Sequence, residues 1–357
     1  MGEVLGVGLS HYPPFSGLDD DMAAILRRTL EDPAIPDAAK DVANWPEIAR
    51  REWAADEGRA AAADHRAALI EGFEKVRQAI DDFRPDAVLI WGDDQYENFK
   101  EDVIPPYAVL AYDDIDVRPW AQAAESSDMK GRPNVWGESG DTTFTVKGRP
   151  DIAKHITSEL LGRGVDVAYA YKQLHHPGLP HAFLNAVLYL DYHRAGFDYP
   201  VVPFPINCYG RRVVSYQGFM APFDDIRELD PPSPTPARLM DVGAEVGRIC
   251  AESPWRIALL ASSSWSHAFI CDRTWRLRPD TPSDRRLFEA MTSGDVDAWR
   301  STPLDEIEGA GQQELLNWFP LLGAMEALGQ KVPAWADFAE TGIFNSNKVF
   351  AAYNPCP

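Results

Sequence analysis

The chain has 357 residues, 45% of them hydrophobic, and its 34 Lys and Arg stand against 55 Asp and Glu for a formal net charge of −21. That balance argues against a nucleic-acid-binding face, which needs clustered cations, and against docking on an anionic membrane. Cys208, Cys250, Cys271 and Cys356 form no C-x-x-C pair, so neither a zinc ribbon nor a disulfide framework is suggested, and a reducing, cytoplasmic setting is the simplest reading. The first residues lack the basic start and apolar stretch of a signal peptide, and no apolar run reaches membrane-spanning length.

The first apolar run, 4–9, ends at Ser10-His11. A helix is expected over 19–30; residues 31–57, with several prolines and tryptophans and little period, read as inserted chain before a long helix over 60–83 that lines up Ile70, Phe73, Val76 and Ile80. A second run, 87–91, ends at Asp93-Asp94-Gln95. Residues 116–143 hold Trp120 and Trp136 among Gly, Ser and Pro, a loop long enough to be a lid. Helix 151–161 leads to a third run, 165–171, ending at His175-His176. Pro180 opens a helix over 181–193, and the fourth run, 201–206, ends at Asn207. Helix 237–250 precedes the last run, 257–260, which ends at Ser262 to His267. Short β-branched runs alternating with helices predict an α/β fold, a central mostly parallel sheet flanked by helices. One domain over 1–357 is expected, with insertions at 12–58 and 116–143. Such sheets bind ligands beyond the carboxyl ends of their strands, where all five polar clusters would converge.

Several of those clusters carry chemistry. Glu314 shares helical phase with Trp318 and is expected to face packed protein, where a carboxylate needs a metal, a histidine or an arginine as partner. His175, His176 and His181 place three of the eight histidines within seven residues. His267 leaves a strand through small polar residues, well placed as a general acid or base. A strand-end histidine such as His11, taken alone, is more often a hydrogen-bonded structural residue than a ligand. A serine nucleophile is disfavoured because Gly-x-Ser-x-Gly is absent.

Gly8-Leu9-Ser10-His11, Gly92-Asp93-Asp94-Gln95 with Phe99, Ile104 and Pro105, His176, Pro200 to Phe204 through Asn207, Ser266-His267, and Glu314-Leu315 with Trp318 and Gly323-Ala324-Met325 occur in one order. Together they resemble the class III extradiol ring-cleavage dioxygenases, the family of the catalytic beta subunit of protocatechuate 4,5-dioxygenase. The resemblance implies a mononuclear non-haem Fe(II) site of two histidines and one carboxylate, cleaving a catechol-type or related phenolic ring with O2. By carry-over His11 and Glu314 are ligands, His267 takes a proton from the substrate and later returns it, and His176 stabilises charge in the pocket.

The family's other ligand histidine falls on Gln95, a harder and weaker donor. Three readings follow: Gln95 coordinates, or Asp94 or a nearby histidine replaces it, and ring cleavage proceeds; a different reaction, with another divalent metal or none, runs in the same pocket; or the chain is a non-catalytic subunit of a dioxygenase complex. His175 and His181, extra to the motif, are a substitute ligand or substrate contacts, and Asp94, Tyr96 and Trp265 are expected to line the substrate site. Arg211-Arg212 is a carboxylate fork or a solvated pair. Roughly thirty residues follow the Glu314 helix, too few for a small alpha subunit, so a cap would come from the insertions or a separate chain; a homo-oligomer is the default expectation.

Overall fold

Six strands form the central sheet of the computed structural model, which describes residues 2–121, 131–213, 216–218, 221–225 and 227–357. They are β1 (Glu3–Leu9), β2 (Ala87–Asp93), β3 (Val201–Ile206), β4 (Arg256–Ser262), β5 (Trp335–Ala339) and β6 (Lys348–Ala352), in the order β3-β2-β4-β1-β6-β5. The first four run parallel, and β6 and β5 continue the β1 edge antiparallel. All four parallel strands therefore end on the same side of the molecule. Four of the five anticipated runs supply them, as expected for an α/β fold.

Alternation along each strand divides the core in two. Val4, Leu89, Trp91, Leu259 and Ala261 face one layer, while Leu5, Val7, Leu9, Val88, Ile90 and Leu260 face the other. The second layer is covered by α1 (Arg59–Phe83), whose Leu69, Phe73, Val76 and Ile80 recur at helical spacing, and by α3 (His181–Leu190). On the first layer lie α2 (Pro150–Gly162), α4 (Pro236–Glu252), α5 (Thr281–Ser293) and α6 (Trp318–Ala327). The glycines of β1 decide how closely α6 approaches. A Cβ on Gly8 would stand 2.2 Å from the Trp318 indole, and one on Gly6 would stand 2.5 Å from Met325 Sδ. The helix thus rests directly on the strand that delivers His11.

The structure departs from expectation in places. Of the 165–171 run only Ala168–Ala170 is a strand, and it pairs parallel with Ala108–Leu110 in a separate two-stranded sheet. Strands β5 and β6 went unanticipated because both are short, β5 carrying an aspartate and β6 opening with a lysine. The helix that carries Trp318 starts at that residue, after Glu314, so Pro320 sits in the first turn of α6, where a proline is tolerated. Residues 12–58 form short helices whose Phe15, Met22, Leu26, Trp45 and Trp53 are buried. Of the expected lid, residues 122–130 lie outside the described residues. Its described flank is fastened to the far end of α3: Trp136 Nε1 donates to the Tyr192 carbonyl at 2.7 Å and the ring packs on Trp120. Tyr189 and His181 are eight positions apart on that helix, ~12 Å at the usual rise. Among the described residues no helix is long and apolar enough to cross a membrane.

Helices α4 and α6 touch backbone to backbone. A Cβ on Gly243 would meet the Pro320 carbonyl oxygen at 2.0 Å, and one on Gly323 would meet that of Met240 at the same distance. Gly243→Ala should therefore force the helices apart and destabilise the protein by ~1–3 kcal/mol, read as a lowered midpoint in chemical denaturation; an unchanged midpoint would show that the contact yields freely.

Candidate metal centre

His11 follows β1, Asp93 ends β2, His181 opens α3, and Glu314 lies in the short 3-10 helix Gln313–Asn317 that leads into α6. One ligand atom from each of these four lies within 4.8 Å of all the others. His11 Nε2 stands 3.5 Å from Glu314 Oε2 and 3.9 Å from Asp93 Oδ1, and His181 Nε2 stands 3.9 Å from Asp93 Oδ2. The His11 and His181 rings meet edge to face, centroids 5.0 Å apart.

Hydrogen bonding fixes which face of His11 is free. Ser262 has one hydroxyl proton and donates it to the Ala182 carbonyl at 2.7 Å. Toward His11 Nδ1, 3.0 Å away, that hydroxyl must accept, so the imidazole carries its proton on Nδ1 and turns the Nε2 lone pair to the cluster. Burial, opposed by the Glu314 charge, pushes the His11 pKa down to about 3, so the ring is neutral at ordinary pH. His11 Nε2, Asp93 Oδ2 and Glu314 Oε2 are all buried without a hydrogen-bond partner. Buried ligand atoms without a hydrogen bond are costly unless something cationic joins them, and two carboxylates with two imidazoles suit a divalent first-row ion.

The carboxylates differ in their surroundings. Burial works against an ionised Glu314, but His267 and His11 outweigh it and hold the group well below the usual carboxylate range. His267 Nε2 lies 3.3 Å from Glu314 Oε2, and Tyr209 Oη donates to Glu314 Oε1. Asp93 is pushed up by burial and then by the Glu314 charge. Burial alone would lower His181, yet Glu97, Asp93 and Glu314 raise it to about 10. The Glu97 carboxylate accepts from both the His181 backbone N–H, at 3.0 Å, and Nδ1, at 2.8 Å.

Two buried polar side chains hold the frame. Asn317 Nδ2 donates to Asp93 Oδ1 and to the Ser262 carbonyl, and its Oδ1 accepts from the Cys208 thiol, so one amide links the ends of β2, β4 and β3 to the Glu314 turn. Asp284, on α5, accepts from the Ser266 backbone N–H, from Ser266 Oγ at 2.6 Å, Gln312 Nε2 at 2.7 Å and Asn347 Nδ2 at 2.8 Å. It thereby joins the His267 loop to the Glu314 loop. Gly311, at φ +69°, lets the chain pass so close that a Cβ there would stand 2.6 Å from the His267 carbonyl oxygen.

The remaining anticipated residues are dispersed. Gln95 is partly exposed, and its Nε2 donates to the Gly218 carbonyl at 2.9 Å. Asp94, raised to about 7 by burial and Glu97, accepts from the backbone N–H groups of Glu97, Asn98 and Phe99 and so shapes the turn after β2. His175 bonds Asp102 in a partly exposed pair. His176 Nδ1 accepts from the Gly178 N–H, which leaves the proton on Nε2, 3.8 Å from Glu97 Oε1. Trp265, expected near the mouth, is instead fully buried against Phe288, Trp299, Trp318 and Phe338, because the chain turns inward after β4. Arg211 pairs with Glu308. Asp93, Glu97, Tyr209, Asp284 and Asn317 were not singled out from sequence; Asp93 alone had a signal, its place at a strand's carboxyl end.

A cleft with about 390 Å3 of empty space, its open mouth included, lies between Tyr96, Phe99, Ile104, Pro105 and Asn207, and none of the four clustered residues lines it. Tyr209 lines it and at the same time donates to Glu314. The walls of the cleft are mostly apolar and aromatic, and Tyr209 is the side chain that connects it to the cluster.

Burial raises Asp284 to about 6, above its ordinary 3.8. The folded state takes up that proton before the unfolded chain does, so this group's contribution to stability grows as pH falls from 8 toward 5. Asp284→Asn presents an amide N–H to three donors and should cost ~1–3 kcal/mol. Thermal melts should show the gap between wild type and variant widening from pH 8 to pH 5; a gap that narrows would contradict the assignment.

No protein-family model matches the chain. Among curated proteins it is similar to 2,3-dihydroxyphenylpropionate/2,3-dihydroxicinnamic acid 1,2-dioxygenase 2 of Pseudomonas putida, 24% identical over 246 residues that make up 69% of this chain and 60% of that protein. It is similar also to the 2,3-dihydroxyphenylpropionate/2,3-dihydroxicinnamic acid 1,2-dioxygenase of Rhodococcus jostii, 23% identical over 316 residues, covering 74% of this chain and 86% of the relative. A third relative, from Photorhabdus laumondii, bears the same name and is 25% identical over 196 residues, 55% of this chain and 47% of its own length. The resemblance drawn from short motifs and these longer partial similarities point to the same class, dioxygenases.

Proposed function

We propose that the chain is a metal-dependent dioxygenase that opens a catechol-type ring, with Fe(II) as the metal, held by His11 and Glu314. The observation that carries this reading is the set of buried atoms without a hydrogen bond, His11 Nε2, Asp93 Oδ2 and Glu314 Oε2, beside Tyr209, which also lines an aromatic cleft. The named activity of the relatives, on substrates bearing a 2,3-dihydroxyphenyl group, supports it. A bound divalent ion would lower the pKa of two adjacent ring hydroxyls and bring them together with O2.

The protein's own groups do the rest. His11 presents a neutral nitrogen because Ser262 holds its other proton. Tyr209 fixes one oxygen of Glu314 and leaves the second turned to the cluster. Tyr96 and Phe99 offer flat apolar walls to a ring. His267, buried and 3.3 Å from Glu314 Oε2, is the group that takes a hydroxyl proton and returns it as the ring opens. His176 acts one step further out, its Nε2–H facing Glu97. A small alpha subunit or a second copy of the chain remains outside this reading, which needs neither to complete the cluster.

Anaerobic purification, Fe(II) reconstitution and oxygen uptake with simple catechols test the reading. The wild type should bind near-stoichiometric iron and consume O2, Glu314→Ala should lose the iron, and His267→Ala should keep it while turning over ~10²–10⁴-fold more slowly. Iron binding indifferent to Glu314, or iron lost with His267, would overturn the roles of these two residues.

A further inference from the structure

We propose that the second imidazole ligand of this centre is His181, delivered by the start of α3 and aimed by Glu97, and that Gln95 takes no part in metal binding. The assignment rests on the metal-dependent reading of the site and adds what fills the place that Gln95 cannot.

The backbone after β2 turns residue 95 outward. Asp94 gathers the N–H groups of Glu97, Asn98 and Phe99, Tyr96 adopts φ +60°, and the Gln95 amide nitrogen goes to the Gly218 carbonyl at 2.9 Å. The same turn carries Glu97 inward. There its carboxylate accepts from the His181 backbone N–H and from Nδ1, which sets both the position of the helix start and the rotation of the ring. With Nδ1 engaged, Nε2 is left to face Asp93 Oδ2 at 3.9 Å, within the four-residue group that includes His11 and Glu314. A ligating imidazole whose other nitrogen donates to a carboxylate is the usual way a protein fixes ring orientation and strengthens the donor.

The exchange has a chemical consequence. Gln95 would have left one imidazole and one carboxylate at the ion, whereas His181 restores a second nitrogen and Asp93 stands beside it as a further oxygen. Two carboxylates balance the charge of a divalent ion, so the loaded centre is close to neutral before substrate arrives.

Anaerobic titration with Co(II), followed by its visible absorption and by the shifted ring N–H protons in NMR, tests the assignment without relying on turnover. Wild type should show two such exchangeable protons, from His11 Nδ1 and His181 Nδ1. His181→Ala should bind Co(II) at least tenfold more weakly and lose one of the two signals, Glu97→Gln should weaken binding by about tenfold, and Gln95→Ala should bind within twofold of wild type. Added imidazole should restore the absorption of His181→Gly, which separates a lost ligand from a lost fold. If His11→Ala and Glu314→Ala lose Co(II) while His181→Ala keeps it, or if Gln95→Ala loses it, the assignment to His181 fails and the metal reading stands. If none of these variants changes Co(II) binding, the metal reading itself fails.

Discussion

Asp93 and Glu314 bring two carboxylates into a space closed to solvent, where like charges repel and neither is hydrated, and much of the surrounding structure answers that strain. Positive charge is supplied from two sides. His181 is held as an imidazolium by Glu97, and His267 approaches Glu314 from the other direction. Neutral donors cover the rest: Tyr209 on one oxygen of Glu314, and Asn317 on one of Asp93. Three atoms are left without a hydrogen bond, His11 Nε2, Asp93 Oδ2 and Glu314 Oε2, the last two facing His181 and His267 at 3.9 and 3.3 Å. A site arranged this way already balances most of its charge, and an arriving cation can replace the proton on His181 instead of adding to it.

The frame around the cluster is built from long-range polar contacts within an apolar core. Asn317 ties three strand ends to one turn, and Asp284 ties two loops and the end of β6 to α5. Each is buried and each is nearly saturated with partners, so neither can rotate without leaving several groups unpaired. The positions of His267 and Glu314 are set by this lattice more than by their own contacts. The glycines on β1 contribute from beneath, since only a strand without side chains at positions 6 and 8 allows α6 to lie so close.

The strand ends were legible because buried parallel strands announce themselves as short β-branched runs, and the residues just past them, His11, Gln95 and His267, could be named from that alone. Glu314 is buried as helical phase with Trp318 suggested, but it lies in a 3-10 turn, where i and i+3 share a face and i+4 does not, so the expected burial holds without the expected geometry. The partners could not be read. Glu97 and His181 are 84 positions apart and Asn317 and Asp93 are 224 apart, and nothing local distinguishes these residues from other acids and amides. Trp265 misled for a related reason: adjacency to a polar strand end says nothing about which way a large ring turns, and here it turns into the core. The run at 165–171 misled because its apolar composition overstated its burial: Val165 and Val167 are buried, but Tyr169 and Tyr171 are exposed and the short strand joins a separate sheet.

Strand order also governs when the protein can become itself. β4, residues 256 to 262, lies between β1 and β2, which are adjacent in sequence but not in space. As the chain leaves the ribosome, β1 and β2 each present an unpaired edge for some 160 residues of synthesis or more, at ~5–20 residues per second. Only when β4 is inserted can His11 meet Ser262, and only when residue 314 has followed does the last carboxylate arrive. The group of His11, Asp93, His181 and Glu314 therefore stays incomplete until most of the chain has been made.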